Sequence, residues 1–418
     1  MIWVGIIVVA LTIIAIVKRL ETRLVLLTAG LVMAVAAGKP LAAVDEFVKT
    51  MLHPTLVPVI CTVMGFSYVM KLTGCDSHLV HLLTGMLKRW RYLLIPGAVV
   101  VTFAINIALP TAAGCAAAVG SILIPTLISA GIPPAMAASA VFAGTWGSTL
   151  SPGATHNPFV AKLANTDVMT VIAVLTPADL AALVVVTLCV TAMAYWRKET
   201  GSVGSASAGL ETGPETFKVN PIKALIPLLP LALLILGSKQ VGLLPVISVP
   251  QAMFAGVIIG MAVCWYSPQE VVKSFFTGMG DSYASIMGII IAASVFTKGM
   301  ELVGLTEALI DAMKHSQHIA RIAATFGPFA VAVLSGTGDG AALAFNGAIT
   351  PHAQQFGYGI IELGSVAHIS GQLGRTMSPV AGAAIVCAQI AEVNPIEMTK
   401  RNALAMVLAA LVVMFILL

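Results

Sequence analysis

Charge is scarce in this sequence. Asp, Glu, Lys and Arg make up 10% of its 418 residues, where soluble domains carry roughly 25%. So few charges cannot cover a water-facing surface of this size, which excludes a cytosolic enzyme and a disordered regulator. Cysteine offers no scaffold either. Cys61, Cys75, Cys115, Cys189, Cys264 and Cys387 lie far apart, with no CxxC and no Cys/His cluster. They read as small packing residues, neither disulfide partners nor metal ligands. A basic tract is missing too: the 22 Lys and Arg are scattered between apolar runs, so the net charge of +4 implies no nucleic-acid partner. What the chain does have is hydrophobicity, with 58% apolar residues and a mean hydropathy of +0.99. Lipid is the solvent for most of it, and the expected class is an all-α polytopic membrane protein.

Met1 to Val17 is an apolar run followed by Lys18, Arg19 and Arg23. A cleaved leader carries its positive charge ahead of the apolar stretch. Here the charge follows, which predicts a retained first helix with its N-terminus outside. Residues 411–418 are still apolar, so function is expected within the membrane region and both termini on the periplasmic side.

Two short stretches organise the chain. Gly147-Ser148-Thr149-Leu150-Ser151-Pro152 and Gly374-Arg375-Thr376-Met377-Ser378-Pro379 are near copies, 227 residues apart. Ahead of each lies a polar, glycine-containing break, at 106–114 and 334–340. The expected organisation is two repeats, 1–196 and 221–418, joined by a Gly/Ser/Glu-rich linker at 197–220. Each repeat is expected to hold about five spans, a re-entrant helical hairpin (92–130 and 322–357) and an interrupted helix (132–165 and 358–390). An odd number of crossings makes the repeats inverted. Under this topology the inner loops hold 14 Lys and Arg and the outer loops 6, as the positive-inside rule requires, and the linker is cytoplasmic.

Interrupting a helix at mid-membrane frees N–H groups that attract anions and carbonyls that coordinate cations. The breaks at 145–158 and 370–382 contain Ser148, Thr149, Ser151 and Asn157 in the first, and Gln372, Arg375, Thr376 and Ser378 in the second. These are candidate substrate ligands; the alternative is a pair of proline kinks packed on neighbours. Arg375 stands out, because an intramembrane guanidinium needs a partner and a carboxylate substrate supplies a bidentate one. A structural pairing with Glu362 or Asp339 is the other reading. Asp339 is the candidate for ion coupling, by proton or by sodium held with carbonyls near Gly336 and Gly338; it too can be a partner of Arg375. His156 can titrate near neutral pH or simply hydrogen-bond the hairpin. His352, Glu362 and His368 are weaker candidates, and His53, His78, His81, His315 and His318 read as interfacial loop residues. No resident cofactor or metal is expected beyond the coupling ion.

Leu373 to Val380, Gly382, Asn394-Pro395, Lys400-Arg401, the stretch from Met64 to Asp76 and the tip Gly336-Thr337-Gly338-Asp339-Gly340-Ala341 resemble the anaerobic C4-dicarboxylate carriers of the Dcu-C type. The likeness runs along nearly the whole chain. It implies the wider ion-transporter superfamily, an elevator motion, and hydroxyl contacts to substrate from the hairpin tips, which map to Thr111, Ser335 and Thr337. The function implied is exchange or cation-coupled symport of succinate, fumarate, malate or aspartate across a bacterial cytoplasmic membrane, by a non-enzyme that elevator analogy makes a homodimer. A sodium/proton antiporter of the same superfamily is the alternative; Asp339 favours it and Arg375 opposes it. An intramembrane hydrolase would need more than Ser151 and His156 five apart on one broken helix.

Overall fold

The computed structural model describes residues 1–18, 20–87, 93–200, 217–237, 241–314 and 317–418, and no strand occurs among them. Most of the linker lies outside the described residues, as do Arg19, Lys88, Arg89, Arg91 and Lys239 of the charge count.

Four helices open the chain: α1 (Ile2–Val17), α2 (Thr22–Ala36), α3 (Pro40–Met51) and α4 (Leu56–Thr73). After α5 (Cys75–Leu87), α6 (Leu94–Ala108) and α7 (Ala112–Ser129) form a helical hairpin. Then come α8 (Pro134–Ala143), a 3-10 turn (Gly147–Leu150), α9 (His156–Leu163) and the long α10 (Val168–Trp196). Beyond the linker lie α11 (Pro221–Leu225), α12 (Leu229–Leu236), α13 (Val249–Cys264) and α14 (Pro268–Ser282). A π turn, Tyr283–Met287, carries α14 into α15 (Gly288–Leu302), and α16 (Leu305–Lys314) follows. The second hairpin is α17 (Gln317–Ser335) with α18 (Gly338–Ala348). After it stand α19 (Ile360–Met377), α20 (Gly382–Ile390) and α21 (Pro395–Leu417).

Local chemistry sets the boundaries. The Asp167 side chain caps α10 by accepting from Thr170 N at 2.9 Å, and Ser248 with Gln251 forms a capping box on α13. Asn394 caps α21 with Pro395 in its first turn. Five described helical segments are long and apolar enough to cross a membrane: Leu56–Thr73, Ala112–Ser129, Val168–Trp196, Pro268–Leu302 and Pro395–Leu417.

Two packed groups result. In one, α2 lies on α15 and α4 on α13 and α14. A Cβ on Gly30 would stand 2.5 Å from the Val295 carbonyl oxygen, and one on Gly299 2.6 Å from that of Gly30. The α2 and α15 backbones thus meet with no side chain between them. In the other group, α17 and α18 pack on α19, α7 on α20, and α10 and α19 on α21. Here too glycine permits contact: a Cβ on Gly147 would sit 2.1 Å from Phe103 O, and one on Gly374 2.3 Å from Phe329 O. An ionic clasp ties the end of α10 to α21, with Arg401 donating to both Glu199 oxygens at 2.8 and 2.6 Å and Arg197 to one of them at 3.2 Å.

Three expectations change. The first interrupted helix is three pieces, but the second is broken only at 378–381, so Gln372, Arg375 and Thr376 are helical. Arg375 occupies the last turn of α19 rather than the gap between half-helices. Residues 40–51, counted as an outer loop, form α3 packed on α2 and α15. His78 and His81 belong to α5 and His318 to α17, not to loops, while His315 lies outside the described residues. His81 stacks on Phe217 at 4.1 Å between centroids and His78 meets the same ring tilted, at 4.7 Å.

Candidate functional site

The first hairpin is tied to the first break by one amide. Asn106, fully buried on α6, donates to the Leu109 carbonyl at 2.8 Å and accepts from the Ser148 backbone N–H at 2.8 Å. That satisfies a free N–H at the start of the 3-10 turn. Asn157, at the start of α9, braces the same break from the other end. Its Nδ2 donates to the Thr149 carbonyl at 2.7 Å and to the Ser151 carbonyl at 2.9 Å.

The second hairpin turns at Gly336, whose φ of +79° only glycine adopts freely. A Cβ there would also stand 2.9 Å from the backbone of Val380 and Ala381, so the tip leans on the second break. Ser335 and Thr337 form a local turn, with Thr337 N donating to Ser335 Oγ at 3.3 Å. Just past the tip, Asp339 accepts from Gln372 Nε2 at 2.7 Å and pairs with His156 Nε2 at 3.1 Å. His156 stacks on His368 at 4.2 Å between centroids. Gln372 in turn accepts from Arg375 Nε at 2.9 Å, while Arg375 Nη2 donates to the Thr145 carbonyl at 2.7 Å.

A connected polar chain therefore runs His156–Asp339–Gln372–Arg375–Thr145 and crosses from one half of the sequence to the other. Arg375 makes no ion pair with Glu362 or Asp339 among the described residues; it reaches Asp339 only through Gln372. Its third nitrogen, Nη1, is buried without a partner. The two His Nδ1 atoms are also unpartnered. Asp339 keeps 43% of its side-chain surface free while His156 keeps 1%, so the carboxylate forms the accessible edge of the cluster.

The remaining expected residues are placed less evenly. Thr111 is exposed at the first tip, and Ser148, Thr149, Ser151 and Ser378 are buried at the breaks. Thr376 commits its hydroxyl to Gln372 O at 2.8 Å, and Ser378 Oγ accepts from Val380 N at 3.4 Å. His352 and Glu362 stay outside the chain of bonds that His368 joins by stacking. No group of three or more His, Cys, Asp or Glu that could hold a metal ion occurs among the described residues. Two buried residues escaped the sequence reading. Asn106 opens the 106–114 break but was given no role there, and Asp179 is the one acid inside the apolar run of α10. An intramembrane acid is itself the signal that should have flagged Asp179. Its carboxylate bonds the Thr149 hydroxyl.

A cavity of about 870 Å³ lies apart from this cluster. His53 and Thr55 ahead of α4, Lys162 on α9, Thr166 and Gln251 line it, so it sits between the two packed groups. Pro158 and Lys162 of α9 form part of its wall, and the same helix begins at His156. A second space of about 30 Å³ opens beside Ser151, Pro152 and Ala108. At that level Phe66 and Met253 of the first group face the break.

Comparison with known proteins adds the family. Residues 3–418 match the family described as C4-dicarboxylate anaerobic carrier, DcuC. An uncharacterized transporter of Haemophilus influenzae is 40% identical over 271 residues, covering 63% of this chain and 97% of its own length. A second from that organism is 54% identical over 126 residues, 30% of this chain and 87% of the relative. The anaerobic C4-dicarboxylate transporter DcuC of Escherichia coli K12 is 23% identical over 392 residues, 90% of this chain and 84% of that protein.

Proposed function

This chain belongs to the C4-dicarboxylate anaerobic carrier family, whose members are carriers and not enzymes, and from that membership we propose how it acts. It moves C4-dicarboxylates such as succinate, fumarate, malate or aspartate across the bacterial cytoplasmic membrane, by exchange or by symport with a proton or sodium. The observation that carries this reading is Arg375: a buried guanidinium bonded at two nitrogens and unpartnered at the third. A carboxylate is the ligand whose geometry suits that donor. Ser151, Ser378 and the tip residues Thr111, Ser335 and Thr337 supply hydroxyls for the rest of the anion, Thr149 being engaged with Trp146 and Asp179, and Asp339 with His156 forms the ion-coupling pair.

The glycine contacts support an inverted pair of repeats. Gly147 on Phe103 and Gly374 on Phe329 recur at an offset of 226–227 residues, with one hairpin and one break in each half. Such a pair, moving against the α2–α4 and α13–α15 group, suits an elevator. The antiporter reading is not favoured, because the family is named for dicarboxylates. The test is counterflow of labelled succinate in proteoliposomes, with fumarate, aspartate and citrate as competitors. Saturable exchange displaced by fumarate and aspartate but not citrate is expected; sodium–proton exchange without succinate movement overturns the reading.

A further inference from the structure

Asp179 is fully buried in α10 and makes one hydrogen bond, to the Thr149 hydroxyl; its other oxygen has no partner. The same hydroxyl lies 3.0 Å from the Trp146 carbonyl. A hydroxyl has one proton to give, and a carbonyl can only accept it. An ionised carboxylate can only accept as well, so Thr149 would leave one of its two neighbours without a proton. Thr376, which stands 227 residues further on in the matching motif, donates to its own helix carbonyl, Gln372 O, at 2.8 Å. When Thr149 does likewise toward Trp146, the donor between Thr149 and Asp179 must be Asp179. The chain Asp179 O–H to Thr149 O–H to Trp146 C=O then satisfies every member. An ionised Asp179 would instead be a buried charge with one neutral partner and no cation.

The helices around Asp179 supply no counter-charge. α6 and α8 carry no titratable side chain. On α9, His156 pairs with Asp339 and Lys162 lines the large cavity. On α19, Arg375 holds Gln372 and Thr145, His368 stacks on His156, and Glu362 lies in the first turn. On α21, Arg401 holds Glu199 and Lys400 holds Glu397. Thr149 is the only described residue that bonds Asp179. Thr149 also belongs to the segment that Asn157 braces through its backbone carbonyl, so a change at Asp179 is felt where the first helix is interrupted. The two breaks then carry opposite chemistry: a cation, Arg375, at the second and a neutral acid at the first.

We propose that Asp179 is a proton-carrying residue of the transport cycle, separate from the Asp339–His156 pair. It holds its proton in the arrangement described here and gives it to water when the 147–155 segment moves, taking one back from water on the other side. The proposal rests on the carrier reading above.

The test uses full-length protein in proteoliposomes. Wild type and Asp179→Asn are compared in succinate counterflow, which needs no net proton movement, and in uphill uptake driven by an imposed pH gradient with an internal pH dye. Asp179→Asn should keep counterflow within about threefold and lose tenfold or more of gradient-driven uptake, while Asp339→Asn retains the component lost in Asp179→Asn. Infrared spectra of the purified protein at neutral pH should show a protonated-carboxyl band that Asp179→Asn removes, a readout independent of transport and usable with Asp179→Glu where the amide fails to fold. Unchanged pH-driven uptake in Asp179→Asn, no loss of that band, or loss of sodium-driven uptake in its place overturns the proposal. Absence of succinate counterflow in the wild type refutes the carrier reading itself, and a band at Asp179 would still be seen.

Discussion

Arg375 has one unpartnered nitrogen for the carboxylate proposed to bind it, and the rest of its fork is already engaged with Gln372 and Thr145. Truncating a buried charged hydrogen-bonding partner typically costs about 2–5 kcal/mol. Arg375→Ala should therefore abolish measurable succinate binding, and Arg375→Lys, which keeps the charge without the planar fork, should weaken it but leave it detectable. Dicarboxylates should lose more than monocarboxylate analogues, since neutral hydroxyls still hold one carboxylate; isothermal titration or competition against labelled succinate measures both. Equal losses would make Arg375 a brace for α19 alone. Asp339→Asn should preserve succinate binding and flatten its dependence on pH or sodium, checked by binding across a pH and sodium series. Loss of binding under every condition would assign Asp339 to holding Gln372 and, through it, Arg375. Arg375 and Asp339 were both legible in the sequence because an intramembrane charge is costly enough to need a reason. Their link through Gln372, and the His156 contact 183 residues away, were not, because side-chain partners across a fold leave no local pattern.

Glycine governs how closely the helices approach. At Gly147 and Gly374 an added Cβ meets backbone oxygen, which no rotamer change relieves. Overpacking of this kind typically costs about 1–3 kcal/mol. Gly147→Ala and Gly374→Ala should each lower the thermal midpoint of detergent-purified protein by a few degrees, whereas Gly85→Ala, with nothing within 4 Å, should leave it alone. Comparable midpoints for all three would mean that α6 and α17 slide freely on their neighbours. Gly, Ser and Pro punctuation made both breaks visible before any coordinates. The helical turn that carries Arg375 was not visible: Gly371 and Gly374 read as breakers, but tight contact with Gly338 and Phe329 holds them helical. α3 was hidden for a similar reason, since 12 residues with Asp45, Glu46 and Lys49 look like a loop until their packing on α15 is known.

At the scale of the molecule, both ends of the linker are anchored. Glu199 is clasped by Arg401 and Arg197, and Asn220 N donates to His78 at 3.2 Å. Cutting the chain between them should leave two halves that still associate through α10 and α21, so co-expressed halves should retain succinate transport. Protease added outside intact cells should spare 197–220; cleavage there would reverse the topology. The clasp also has a pH signature. Hydrogen bonds from Arg401 hold the Glu199 carboxyl below its ordinary value of 4.5. A depressed carboxyl stabilises the fold fully above its unfolded value and loses that contribution as pH falls through the lower, folded one. Wild type should thus lose thermal stability on going from neutral pH to below about pH 4, while Glu199→Gln should start lower at neutral pH and fall less. Parallel curves for the two proteins would show that the clasp contributes nothing.

The roomy space beside Lys162 bears on what can block this carrier. At about 870 Å³ it falls in the range that accepts drug-sized molecules, far more than four carbons need. On the proposed reading this space is a vestibule ahead of the polar chain around Arg375; it is too wide to sieve by shape, and discrimination falls to that chain. Bulky esters or tethered analogues that keep one free carboxylate should lodge in the vestibule without crossing. They would act as one-sided plugs, and only from the face on which that space opens.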